Sequence, residues 1–286
     1  KATGNIQSDQ ISKIEVIFSG GTWESYPIEY REQVIRELYW AANTVDDERT
    51  SLTLEDEIHM NETTQYRIIG FTLETRPDNI TPETIQQYRR WGVTRIQIGV
   101  QHYDDEILKK VNRKCYTKDT IHAIRLLKQA GLKVVVHLMP DLPGSSPEKD
   151  KWMFDEAINN PDFQFDDIKL YPTAVIKSAF DDKHLVKSKM FEMYSKGDYT
   201  PYSEKNLQDL IDVCIYYKTH INPWTRIQRL VRDIPHTDIA AGYNGLSNLR
   251  QVIHNQMKKR CLKCNCIRCM EIGEKEHENN KPILVV

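Results

Sequence analysis

Short apolar runs that end in polar, Gly- or Pro-marked tips recur along this chain, and stretches of helical spacing separate them. The clearest run is Ile68 to Asp78, I-I-G-F-T-L-E-T-R-P-D. Ile68, Ile69, Phe71 and Leu73 lead into Glu74, Thr75, Arg76, Pro77 and Asp78, which predicts a buried strand whose C-terminal tip leaves the core carrying charge. Glu74 and Arg76 read either as groups of a site at that tip or as a local ion pair on a capping loop. Further strands are predicted at 14–18, leading into Ser19-Gly20-Gly21-Thr22, and at 95–101 and 133–139. Two more are predicted at 167–173 and 224–230. The adjacent glycines permit close backbone approach to a ligand, or form a plain strand-to-helix turn. Helical spacing covers 27–43, with Tyr30, Val34, Leu38 and Ala41 on one face. It returns after the Thr81-Pro82 start signal up to Gly92, and at 104–111, 118–130 (closed by Gly131), 148–159, 204–220 and 247–260. Residues 1–13, 44–65 and 174–202 read as polar or irregular.

Strand and helix alternate about six times, the signature of a parallel sheet with helical crossovers. Polar tips at successive strand ends predict a shared mouth. The expected fold is therefore α/β, a partial (β/α) barrel, with an open doubly wound sheet as the alternative. A chain of 286 residues has room for one such domain plus a small appendage. We expect the barrel over 1–245, and a last helix, Cys-rich metal-binding segment and linker over 246–286. The net charge of −2 offers no bulk basic field, so any nucleic-acid site must be a local patch. No apolar run is long enough to span a bilayer, and no secretory leader is read. Six cysteines, four of them crowded near the C-terminus, favour metal over disulfides and a reducing, cytoplasmic setting.

The crowded set is Cys261-x2-Cys264-x-Cys266-x2-Cys269. Sulfur ligands this close can surround one tetrahedral Zn²⁺, with His254 or His277 as a ligand from elsewhere. The same run also contains the C-x4-C-x2-C spacing of one iron–sulfur ligand set. Arg226-x2-Arg229-x2-Arg232 stands beside Trp224. With Lys169, Tyr171, Lys177 and the lysines of 183–196 it makes either an RNA-binding surface or a solvated face paired with Asp181, Asp182 and Asp233. His137 in its apolar strand, Cys115 and Cys214 read as core residues. The G-x-S-x-G, Walker, H-E-x-x-H and G-x-G-x-x-G motifs do not occur.

Several motifs then appear in order: Val16-Ile17-Phe18-Ser19-Gly20-Gly21-Thr22, Glu74-Thr75-Arg76-Pro77-Asp78, Gln97-Ile98-Gly99-Val100-Gln101, Met139-Pro140-Asp141-Leu142-Pro143, Lys169-Leu170-Tyr171-Pro172-Thr173, and Pro223-Trp224-Thr225-Arg226 with Arg232-Asp233-Ile234-Pro235. Together they resemble the radical-SAM domain of the catalytic subunit of Elongator, a tRNA-modifying family. The resemblance implies a partial barrel of radical-SAM type with S-adenosylmethionine and a [4Fe–4S] cluster at its mouth. It implies a following acetyltransferase domain that uses acetyl-CoA, and carboxymethylation of carbon 5 of wobble uridine. By the same match, Gly20, Gly21 and Thr22 would approach the methionyl part of the cofactor, and Glu74, Arg76 and Gln101 its sugar and sulfonium. Lys169 and Tyr171 would face that cavity as catalytic residues. Lys177, Arg226, Arg229 and Arg232 would meet tRNA, and Cys264, Cys266 and Cys269 would hold zinc with Cys261 nearby. Other Elongator subunits or a second copy would be partners.

Two departures qualify the resemblance. The family's cluster cysteines precede the Gly-Gly-Thr strand, whereas the first cysteine here is Cys115, and the sequence ends at Val286, where the acetyltransferase domain would begin. The chain as given is thus expected to be incomplete for catalysis. An enzyme core is weighed against a reduced tRNA-binding or assembly module, and both against an unrelated barrel enzyme with a zinc appendage.

Overall fold

The computed structural model describes residues 13–271 except 20, 47, 178, 182, 183, 187, 233, 235–237, 244, 245 and 247. The polar start and the final apolar run lie outside the described residues. Two compact units emerge, one up to Leu108 with Arg113–Leu138 and Pro161–Phe165, the other made of Lys109–Asn112, Met139–Asn160 and the chain from Asp166 on.

The first unit alternates strand and helix: β1 (Lys13–Phe18), α1 (Ile28–Asn43), α2 (Leu54–Asn61), β2 (Arg67–Thr75), α3 (Pro82–Arg90), β3 (Arg95–Gln101), α4 (Asp105–Lys110, which runs into the second unit), α5 (Thr117–Gln129) and β4 (Lys133–Leu138). Its strands are parallel, in the order β1-β2-β3-β4. Register aligns Glu74 with Gln97 and Gln97 with Val135. Side chains alternate across a sheet with period two. Phe71, Leu73, Ile96, Ile98, Val134 and Val136 therefore share one face, all of them buried. Phe71 on that face packs edge-on against Tyr39 of α1. Thr72, Glu74, Gln97, Gly99, Val135 and His137 share the other face, which is markedly more polar. A strand that is apolar on both faces would carry no chemistry; this alternation places polar groups in rank near the strand tips.

Two expectations are corrected here. Ile69 is half exposed, so the burial of β2 begins at Phe71. The buried face of α1 is Arg31, Ile35, Tyr39 and Ala42, one residue on from the predicted stripe. That face contains a cation, which a hydrophobicity pattern skips. Arg31 lies over the Trp91 ring at 5.6 Å, and Tyr39 donates its hydroxyl to the Trp91 carbonyl at 3.2 Å. The α3 start forms as expected, with a reciprocal Thr81–Thr84 capping box and Pro82 in the first turn.

The second unit holds α6 (Pro147–Asn159), β5 (Asp167–Leu170), β6 (Ala174–Ile176), β7 (Ala179–Asp181), β8 (His184–Val186), α7 (Lys189–Ser195), α8 (Tyr202–Lys205), α9 (Leu207–His220), β9 (Arg226–Leu230), β10 (Ile239–Gly242), α10 (Leu249–Lys259) and α11 (Ile267–Met270). β5 and β9 pair in parallel, β6 and β10 antiparallel, and β7 and β8 form an antiparallel pair. The predicted 167–173 strand stops at Leu170. Pro172 has no N–H to give a ladder, and Thr173 donates both its N–H and its hydroxyl to the Pro140 carbonyl. The 174–202 segment, read as irregular, contains three strands and a helix. Val175, Met193, Tyr199 and Ala241 form a small core there. The predicted 204–220 helix breaks at Asn206, whose side chain caps α9 by accepting from Gln208 N–H at 3.1 Å. Among the described residues no helix is long and apolar enough to cross a membrane.

Candidate functional site

A cavity of about 310 Å³ opens beyond the tip of β1, lined by Phe18, Ser19, Gly21, Thr22, Trp23, Ser25, Tyr26, Tyr30, Val34 and Glu74. The turn that shapes it is folded on itself: Ser25 donates its N–H (3.0 Å) and its hydroxyl (2.7 Å) to the Thr22 carbonyl. Trp23 is buried and stacks on Phe18 with ring centres 4.8 Å apart. Glu24, next after Trp23 in sequence, anchors the turn. Its carboxylate accepts from the hydroxyls of Thr75 and Tyr88, and from Asn79 Nδ2 at 3.5 Å. One acidic residue thus ties the β1 turn to the β2 tip and to α3. Sequence reasoning missed Glu24, because a lone Glu in a turn carries no spacing signal. Gly20, expected beside Gly21, lies outside the described residues.

Glu74 projects into this cavity from β2. Behind it, His137 Nδ1 lies 3.7 Å from Glu74 Oε1, and His137 Nε2 lies 3.2 Å from Gln97 Oε1. Gln101 ends β3 in the left-handed backbone region (φ 75°), and its buried Oε1 has no hydrogen-bond partner among the described residues. Gly99 makes room beside it. A Cβ there would lie 2.7 Å from Arg113 Nη2 and 3.1 Å from Gln101 Nε2, and Arg113 uses that space to donate to the Gly99 carbonyl at 2.5 Å. Burial and the neighbouring Arg76 push the Arg113 guanidinium below its ordinary range. Arg76 does not pair with Glu74. It makes a two-pronged contact with Asp78 at 2.9 and 2.8 Å and donates to the Lys114 carbonyl at 3.2 Å. Cys115 is buried, and burial raises its thiol to about 11.

The second unit carries the other predicted residues. Lys169 and Tyr171 are half buried, and Lys177 is exposed. Lys169 is register partner to the exposed Arg229 across β5 and β9. Arg226 is ion-paired with Glu271, and Arg232 is exposed. Lys183, Lys187, Asp182 and Asp233 lie outside the described residues. Asp141 is a hub in the Pro140–Gly144 loop. At φ 71° and fully buried, it accepts from the N–H of Tyr202 (2.7 Å), the N–H of Ser203 (3.2 Å) and the Ser203 hydroxyl. Burial pushes its carboxyl up to about 7 against those donors.

The sulfur atoms of Cys264, Cys266 and Cys269 lie within 4.8 Å of one another. A tetrahedral ion with Zn–S bonds of about 2.3 Å separates its sulfurs by about 3.8 Å, so a small contraction would close the set. Cys261 stands exposed after α10 at φ 56°, outside this group, and His277 lies outside the described residues. The trio is stitched to its own unit. Asn265 N–H donates to the Lys218 carbonyl (2.9 Å), Ile267 N–H to the Thr225 carbonyl (3.1 Å) and Arg268 to the Gln228 carbonyl (3.0 Å). The hydrogen bond from the Cys264 thiol, together with N–H groups of Ile227 and Cys269, lowers Cys266; giving that bond, and burial, raise Cys264.

Strand tips, an adjoining cavity and an alternating α/β order define a parallel half-barrel enzyme scaffold. The Radical SAM superfamily profile matches residues 10–156, and the Radical_SAM C-terminal domain profile matches 165–259. The chain belongs to the Radical SAM superfamily. It is 41% identical over 261 residues, 91% of its length, to a tRNA uridine(34) acetyltransferase of Methanocaldococcus infernus, covering 46% of that protein. It is 35% identical over 266 residues, 93% of its length, to Elongator complex protein 3 of Schizosaccharomyces pombe, again covering 46% of that protein. The solved structure of the archaeal Methanocaldococcus infernus Elp3 with an N-terminal deletion superposes with a TM-score of 0.80 at 41% identity, over 90% of this chain and 57% of that one. The chain thus spans about half the length of the curated relatives it matches.

Superfamily membership implies S-adenosylmethionine and a [4Fe–4S] cluster. The first fits the cavity unit: the orphaned Gln101 oxygen, the Glu74 carboxylate and the open space before Gly21 suit a ligand rich in hydroxyl and ammonium groups. The cluster does not fit the described residues of that unit, whose one cysteine, Cys115, is a buried thiol held protonated.

Proposed function

We propose that this chain is the radical-SAM core of a tRNA-modifying enzyme that acts on the wobble uridine. The observation that carries this reading is 41% identity to a tRNA uridine(34) acetyltransferase across 91% of the chain. In the whole protein the reaction would be 5-carboxymethylation, with acetyl-CoA as the carbon source. Gly21, Thr22, Glu74 and Gln101 would hold S-adenosylmethionine, the first two by backbone and hydroxyl, Glu74 and Gln101 as hydrogen-bond acceptors. Gly20 and Arg76 belong to the same assignment, Arg76 acting through Asp78 and the 114 carbonyl to order the loop. S-adenosylmethionine bound there would supply radical chemistry in the whole protein. Lys169 and Tyr171 are assigned to catalysis. Lys177, Arg226, Arg229 and Arg232 are assigned to tRNA phosphates, which guanidinium groups grip in a two-pronged manner. Cys264, Cys266 and Cys269 would hold zinc, with Cys261 or His254 completing the shell. The barrel and the C-terminal Cys-rich segment after 245 form the functional division, with Elongator-type subunits or a second copy as partners in the cytoplasm.

The test is thermal unfolding with and without S-adenosylmethionine. A ligand at one hundred times its Kd raises stability by about 2.7 kcal/mol, and a clear upward shift in Tm is the expected outcome. RNA binding without any response to the cofactor would instead favour the reduced docking module. Absence of both responses would overturn the assignment.

A further inference from the structure

Residues 239–270 hold six Lys and Arg and no Asp or Glu, a formal charge of +6 inside a chain of net charge −2. All six cations lie on α10 or in the cysteine loop that follows it. Leu249, Ile253 and Met257 are the buried row of α10. The next two rows, Arg250, His254 and Lys258, then Gln251, Asn255 and Lys259, are exposed, as is Lys263 between Cys261 and Cys264. A helix face that only meets water ordinarily mixes signs in i,i+4 pairs. This one carries basic and amide groups alone. Balance of the helix dipole does not account for it either. That balance suits Lys258 and Lys259 in the last turn, but Arg250 stands in the first turn, which has no acid. The side chains of Arg250, Lys258, Lys259 and Lys263 make no ion pair or hydrogen bond among the described residues. Asp212 and Glu271, the acids ion-paired beside this surface, are matched by Arg260 and Arg226. Trp224 is 61% exposed, and the carbonyl of the next residue, Thr225, accepts from Ile267 N–H. An exposed indole thus stands one residue from an anchor of the loop.

We propose that the exposed face of α10 and the cysteine loop form a surface for the phosphate backbone of RNA, with Trp224 as a stacking platform for an unpaired base. Arg250 and the three lysines neutralise phosphates, and Gln251 and Asn255 donate to phosphate oxygens. The proposal rests on the tRNA reading above and adds to it contacts other than the β9 arginines. An acidic membrane is the poorer match, because the apolar row of this helix is buried.

The test is tRNA binding by filter retention over a salt series. Wild type is compared with a triple variant, Lys258→Ala with Lys259→Ala and Lys263→Ala. The slope of log affinity against log salt should fall by about two to three in that variant, near one per lost phosphate contact. Arg at the same three positions should restore it, since both residues neutralise phosphate. Lys110→Ala with Lys118→Ala and Lys133→Ala removes the same charge at exposed positions elsewhere. That control should keep its slope within about half a unit of wild type. Trp224→Ala should bind single-stranded RNA about tenfold more weakly with the slope unchanged. A triple variant with the wild-type slope, or a control that falls as far, overturns the surface and leaves the tRNA reading standing. Equal affinity in Trp224→Ala overturns the stacking role. A wild type that retains no tRNA overturns both the surface and the tRNA reading. Tighter binding to vesicles of phosphatidylcholine and phosphatidylserine than to tRNA assigns the face to a membrane and overturns the RNA proposal.

Discussion

At the scale of single residues, the firmest polar anchor is Glu57, a fully buried carboxylate outside the cavity. Arg49 grips it with two prongs at 2.6 and 2.7 Å, Leu52 N–H donates at 2.9 Å and Asn43 Nδ2 at 2.8 Å. The Arg49 hydrogen bond, with the other donors, outweighs burial and lowers its pKa from 4.5 to about 2. The folded pKa lies below the unfolded one, so the stabilisation is complete above pH 4.5 and is lost as pH falls toward 2. Glu57→Gln should cost on the order of 3 kcal/mol at pH 7. Urea unfolding should show the gap to wild type narrowing below pH 4.5 and closing near pH 2; a constant gap would mean that the loss is one of shape, not charge. Nothing in the sequence marks Glu57, which sits in a stretch read as polar and irregular. Glu24 is equally silent, and Arg31 shifts the α1 face because a buried cation hides from an apolar count. Glu74 and Gln101 were legible because an apolar run stops at them.

At the scale of elements, the strands and helices of the first unit follow from periodicity, Pro and Gly. β3 begins and ends as predicted, and α5 stops before Gly131, whose φ of 71° ends the helix without a Cβ clash. The second unit was less legible. β6 and β10 are three and four residues long, too short for a period to register, and they pair across more than sixty positions of chain. The cysteine loop is a third case: its spacing marks a candidate metal set, but not its seat on α9 and β9. Through Ile227 N–H and the Thr225, Gln228 and Lys218 carbonyls, the loop is fastened to both elements. Cys266→Ser should therefore release the metal and also free the 264–271 loop, since a bound ion is part of its folding energy. Metal content by mass spectrometry and proteolysis near Arg268 report the two effects. Retention of one zinc per chain would remove Cys266 from the ligand set.

At the scale of the whole molecule, a net charge of −2 gives no long-range pull on RNA, so a tRNA surface must work through a few short contacts. The β9 arginines are not equivalent in this respect. Arg226 is ion-paired with Glu271 beside the cysteine loop; Arg229 is exposed, sits in register with Lys169 and has an interaction of its own. Each phosphate contact releases condensed counterions and carries no base information. Arg229→Ala should therefore weaken binding to unrelated tRNAs alike and reduce the salt slope by about one. Arg226→Ala should leave that slope nearly unchanged and act instead on the stability of the cysteine loop. Filter binding over a salt series, with two tRNA species and both variants, separates these outcomes. If Arg226→Ala flattens the slope and Arg229→Ala does not, the nucleic-acid footprint lies on the side of β9 that faces the cysteine loop, and the ion pair with Glu271 must open for RNA to bind.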